Sequence, residues 1–183
     1  MTRSSLGAVA AALLASPLLF GAGQALAAGE HGGGHGRAAI GAPGEAAAAD
    51  RTVEIAMYDN YYEPERLEVA GGQTVRFLVR NEGSLVHEFN IGTAEQHAAH
   101  RDEMMMMVEH GVLLADRIDR ERMKMDMGGG RTMEHDDPSS LLLEPGETAE
   151  LVWTFPESGT LEFACNVPGH YEAGMVGDLG IQK

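Results

Sequence analysis

The stretch from Cys165 to Met175, CNVPGHYEAGM, decides how this chain is read. It runs Cys165, four residues, His170, four residues, Met175. A second imidazole, His87 in SLVHEF, lies far upstream in a strand-like segment. Thiolate and thioether are soft ligands that suit Cu(I), while imidazole also suits Cu(II). Two imidazoles, one thiolate and a distant thioether form the ligand set of a blue-copper electron-transfer site, which serves both oxidation states with little rearrangement. Pro168 and Gly169 supply a tight turn before His170, and Gly174 gives the backbone freedom before Met175. One loop can thus fold three ligands around one ion, with His87 closing the trigonal plane from a neighbouring strand. Singly, each residue has a blander use: a buried Cys or Met is ordinarily core filler, and a lone His sits on the surface or in a hydrogen-bonded core. Their joint spacing is what favours a metal.

The surroundings of these residues read as short strands. Val75, Phe77 and Val79 alternate with Arg76, Leu78 and Arg80, which predicts a strand with one buried face. Strands are expected at Thr52 to Tyr58, around Leu67 and Val69, at Ser84 to Ile91, Ser140 to Leu143, Thr148 to Phe155, Gly159 to Ala164 and Val176 to Gln182. Turn signals separate them at Gly71-Gly72, Asn81-Glu82-Gly83 and Glu144-Pro145-Gly146-Glu147. This regular spacing indicates an all-β sandwich or barrel. Residues 92–137 break the pattern with Met, His and charge, and Ala94 to Leu114 and Arg117 to Met127 look helical.

The first 27 residues read as a secretory signal: Arg3, an apolar run from Leu6 to Phe20, and the cleavage pattern Ala25-Leu26-Ala27. A membrane helix is the rival, but the run is short and interrupted by Pro17. The mature chain is expected to be exported to the periplasm without a membrane span. Residues 28–50 lack periodicity and are expected to be a flexible His/Gly/Ala-rich leader before a domain spanning 51–183. The formal charge is −15, and losing Arg3 with the signal makes it −16. Such an acidic chain excludes nucleic acid as an expected partner. A single Cys excludes an internal disulfide, and metal ligation best explains a lone thiol in an oxidising compartment.

At this point the residues carry a family resemblance. CNVPGHYEAGM, the upstream His87 and the lead-in EPERLEVAGGQTVRFLVRNEG resemble the cupredoxins, small Greek-key β-sandwich proteins that include plastocyanin, azurin and rusticyanin. The loop resembles that of rusticyanin more than the shorter loop of plastocyanin. The resemblance covers Thr52 to Ile91 and Ser140 to Lys183, and it implies His87, Cys165 and His170 as equatorial ligands and Met175 as the axial one. Many cupredoxins have Asn directly after the first His. This chain has Glu88, which puts the hydrogen bonding around the site in question, and Asn166 is expected to supply part of the bracing. HRDEMMMMVEHG, MEHDDPSS and LEFACNVPGHYEAGMVGD resemble periplasmic copper-tolerance cupredoxins in particular.

The insertion holds Met104 to Met107, Met123, Met125, Met127 and Met133, with His97, His100, His110 and His135 among them. Thioethers bind Cu(I), so additional weak copper sites are expected there beside one type 1 site cycling between Cu(I) and Cu(II). Met106 and His110 would share a helix face, as would Met123 and Met127. Met is equally a core filler, and part of the run must pack with Val108, Val112 and Leu113. His31 and His35 in the leader form a weak, unselective pair for Cu(II). Three functions follow in order: copper tolerance through copper redox or sequestration, a dedicated electron carrier with a periplasmic redox protein as partner, and a copper enzyme. The last is not expected, because the chain has room for one such domain and no paired His-x-His motifs for a trinuclear cluster.

Overall fold

The computed structural model describes residues 39–124 and 137–182. Ten strands form two five-stranded sheets. In chain order they are β1 (Ala42–Pro43), β2 (Arg51–Tyr58), β3 (Tyr61–Glu63), β4 (Arg66–Ala70), β5 (Thr74–Asn81), β6 (His87–Gly92), β7 (Ser140–Leu143), β8 (Thr148–Thr154), β9 (Leu161–Ala164) and β10 (Val176–Gln182). One sheet runs β1-β8-β5-β2-β3 and the other β4-β10-β9-β6-β7. The pairs β2/β5 and β4/β10 are parallel and the rest antiparallel. Parallel neighbours cannot be joined by a hairpin, so the chain crosses between sheets as a Greek-key sandwich must.

The alternation in β5 is realised: Val75, Phe77 and Val79 are buried and Arg80 is exposed. Facing strands supply the aromatic centre. Phe77 lies 5.4 Å from Phe89 between ring centroids, and Tyr62 lies 5.0 Å from Phe163 in an edge-on contact. The Tyr62 hydroxyl donates to the Glu88 carbonyl at 2.6 Å, satisfying its one polar atom and tying β3 to β6.

Strand β6 departs from the half-buried pattern, because every residue in it is buried. Phe89 and Ile91 face the sandwich core. Glu88 and Asn90, on the other face, are covered by the inserted segment. The insertion forms helix α1 (Ala94–Glu109) and the short helix α2 (Arg120–Met123). A capping box starts α1: the Thr93 side chain accepts from Gln96 N, and the Gln96 side chain accepts from Thr93 N. The helix stops short of the expected Leu114. Its end is set by Gly111, whose φ of +67° is readily adopted only by glycine. Helix α2 likewise begins later than the expected Arg117, with Asp119 capping its start.

The expected leader 28–50 is not wholly outside the fold. β1 pairs with β8, Ile40 is buried, and its carbonyl accepts from Trp153 Nε1 at 2.8 Å. Two-residue pairings leave no periodicity to read, which is why the sequence hides them. The expected signal at 1–27, the leader pair His31 and His35, and Met125, Met127, Met133 and His135 lie outside the described residues. Among the described residues no helix is long and apolar enough to cross a membrane.

Candidate metal centre

Three of the expected ligands converge. His87 opens β6, Cys165 follows the last residue of β9, and β9 pairs with β6, so the two side chains meet at one end of the sheet. His170 lies on the connection to β10, and Met175 immediately precedes that strand. Backbone bonds close this loop: His170 N donates to Val167 O at 3.0 Å, Met175 N to His170 O at 3.0 Å and Cys165 N to Met175 O at 3.1 Å. The last bond returns the loop to its start and sets Met175 beside Cys165. Gly174, at φ +99°, permits the reversal.

Cys165 Sγ lies 3.4 Å from His170 Nδ1 and 4.0 Å from His87 Nδ1. The ligand atoms of these three residues all fall within 4.8 Å of one another. His87, Cys165 and Met175 have no exposed surface, while His170 is half-buried. A nitrogen, nitrogen and sulfur set beside a buried thioether residue fits copper; it offers no carboxylate oxygen to a hard cation.

The electrostatics suit a metal that brings its own charge. Burial pushes the Cys165 thiol up, although the Glu88 N–H directed at Sγ (3.3 Å) opposes this. A metal cation supplies the charge that lets such a buried thiol ionise. Burial pushes both His87 and His170 down, so they stay neutral with a lone pair to give. His87 Nε2 lies 2.9 Å from Asp59 Oδ1. That carboxylate holds the proton on Nε2 and leaves Nδ1 free on the sulfur side. Asp59 is itself held well below the usual carboxylate range, first by the Ser84 hydroxyl at 2.6 Å and then by His87. Sequence reasoning missed Asp59. It sits 28 residues before His87, in the turn between β2 and β3, and no spacing rule links them.

Glu88 replaces the usual Asn without loosening the site. Its carboxylate is fully buried: Oε2 accepts from Asn166 N at 3.1 Å and Asn166 Nδ2 at 2.8 Å. Oε1 accepts from Ser140 Oγ at 2.5 Å and pairs with His100 Nε2 at 2.9 Å. The expected bracing by Asn166 is therefore present. Beside His170 an apolar groove is lined by Pro168, Val167, Leu85, Val108 and Leu113.

The methionines divide by position. Met104 and Met107 are buried in the core, and Met123 packs against it. Met105 and Met106 are 45% and 49% exposed. Val112 and Leu113 pack as expected, whereas Val108 is largely exposed. His110 Nδ1 bonds to Met106 O at 2.8 Å, so these two residues do adjoin at the helix end.

The cupredoxin-like domain family matches residues 35–102. The copper-resistant cuproprotein CopI of Pseudomonas aeruginosa is 48% identical over 178 residues, covering 94% of this chain and 95% of that protein. The copper-resistant cuproprotein CopI of Rubrivivax gelatinosus is 36% identical over 180 residues, covering 93% of this chain and 95% of that protein. Among solved structures, auracyanin B aligns with a TM-score of 0.56 at 20% identity, covering 79% of this chain and 97% of its own, a likeness of fold alone. With a relative at this identity matched along nearly its whole length, the chain belongs to the CopI family of cupredoxin-like cuproproteins.

Proposed function

We propose that this protein confers copper tolerance by holding copper at His87, Cys165, His170 and Met175, where the ion exchanges single electrons. The observation that carries the reading is the meeting of two neutral imidazoles and one buried thiol from distant parts of the chain. The names of the CopI relatives point to copper resistance. When bound, copper supplies one-electron chemistry. The protein supplies the ligands, excludes water from Cys165 and His87, and presents His170 at the surface for transfer. Its place of work is the periplasm, reached through the signal at 1–27, and it handles copper rather than turning over a substrate. Met105, Met106 and His110 are the described residues best placed to collect further Cu(I).

The second reading is a dedicated electron carrier, favoured by the apolar groove beside His170. Weak electron-transfer contacts are small, and such a groove is of the right kind for a redox protein to dock briefly. A Cu(I) titration of the reduced mature protein, in wild type and Cys165→Ala, separates the two. Extra equivalents that survive the mutation indicate copper handling on the Met and His segments. One equivalent in wild type and none in the variant indicates the carrier. Cys165→Ser must abolish the intense visible Cu(II)–thiolate absorption with the fold retained, and persistence of the colour would sink the ligand assignment.

A further inference from the structure

Helix α1 belongs to the insertion, yet one of its faces meets residues that adjoin the expected ligands. His97, His100 and Arg101 stand at positions that share one helical face. Each reaches the site by a different route. His97 Nδ1 pairs with Asn166 Nδ2 at 3.2 Å, next to Cys165. His100 Nε2 pairs with Glu88 Oε1 at 2.9 Å, next to His87. Arg101 Nε bonds to Glu172 Oε1 at 3.2 Å, and its guanidinium lies 4.4 Å over the Tyr171 ring. Tyr171 and Glu172 sit between His170 and Met175. One helical face therefore touches the chain beside both imidazoles, beside the thiol, and in the span leading to the thioether.

We propose that α1 is a clamp that holds the Cys165–Met175 loop in its ligand arrangement before any metal arrives, with His100 and Arg101 as its positioning residues. The physical case is one of pre-organisation. A loop of this length has many conformations, and ordering it at the moment of binding would weaken affinity. The buried pair between Glu88 and His100 cannot lose one partner without leaving a desolvated charge, so it resists opening. The Arg101 contacts fasten the part of the loop that β6 cannot reach. The sheet alone positions His87 and Cys165; the helix adds control over His170 and Met175. The inference rests on the copper reading above only for what the loop finally holds.

Amide hydrogen exchange across residues 165–175 of the metal-free protein tests it directly. Arg101→Ala and His100→Ala should each speed exchange in that loop at least tenfold, while the strands of the β1-β8-β5-β2-β3 sheet keep their protection. Glu103→Ala, which alters only the exposed side of His100, should leave the loop near wild type. Arg101→Ala touches a partly exposed contact, so it reports even if His100→Ala does not fold. In the copper-loaded protein the same two variants should shift the reduction potential, and Arg101→Lys should restore part of the Arg101 effect. Loop exchange unchanged in Arg101→Ala would overturn the clamp whatever metal the protein binds. A wild type with a protected loop but no thiolate absorption on adding copper would instead overturn the ligand assignment and leave the clamp standing.

Discussion

At the scale of single residues, the site depends as much on what is missing as on the ligands. A Cβ on Gly83 would lie 2.5 Å from Asp59 Oδ1 and 2.8 Å from His87 Nε2. Gly83→Ala must therefore push apart the contact that orients His87. We expect a loss of about 1–3 kcal/mol in the metal-free protein and weaker copper binding, read by thermal melting and by titration. Met175→Leu makes the opposite kind of change. It keeps the volume and removes the thioether, so the colour should persist while the potential rises, since losing that ligand favours Cu(I). Electrochemistry of the loaded variant decides, and a fall in potential would show that Met175 is not the axial ligand. Glu88 shows why residue identity alone underdetermines a site. From the sequence it is a departure from the usual Asn; in the fold it keeps the tie to Asn166 and adds a charge that His100 meets.

At the scale of elements, the strands were legible where one face meets the core and the other meets water. β10 falls at its expected bounds for that reason, and β5 alternates as its residues imply; β7 also falls at its expected bounds, as a short apolar run that is partly buried throughout. β6 was legible as a strand but not as a fully buried one, because its polar face is covered by a helix inserted after it. The start of the described fold was equally hidden. Residues Ile40 to Pro43 hold the edge of a sheet through a tertiary contact with Trp153, which no local pattern announces. A chain shortened to begin at residue 51 should lose about 3 kcal/mol, from the buried Ile40 side chain and the orphaned Trp153 N–H. A lowered chemical-denaturation midpoint with an unchanged copper spectrum is the expected result.

At the scale of the whole molecule, histidines link stability to pH in two directions. Burial pushes His100 down, but Glu88 and then Glu103 outweigh it and lift its pKa to about 9. Its protonated pair thus stabilises the fold fully below its ordinary value of 6.5, and that stability is lost as pH rises through about 9. His87, His97 and His170 are pushed down by burial, so they weaken the fold as pH falls below their ordinary range. Melting of the metal-free protein should therefore peak near neutrality, and His100→Gln should remove the decline between pH 6.5 and 9. By itself the sequence determined the sandwich, through strand periodicity, and pointed to the proposed donors, because a lone Cys spaced from His and Met has few other uses. Only the tertiary structure decided how those donors are held. Asp59 behind His87, Glu88 under Asn166 and the α1 face against the loop are contacts between residues far apart in the chain. Their partners are chosen by packing, and packing leaves no periodic mark on the sequence.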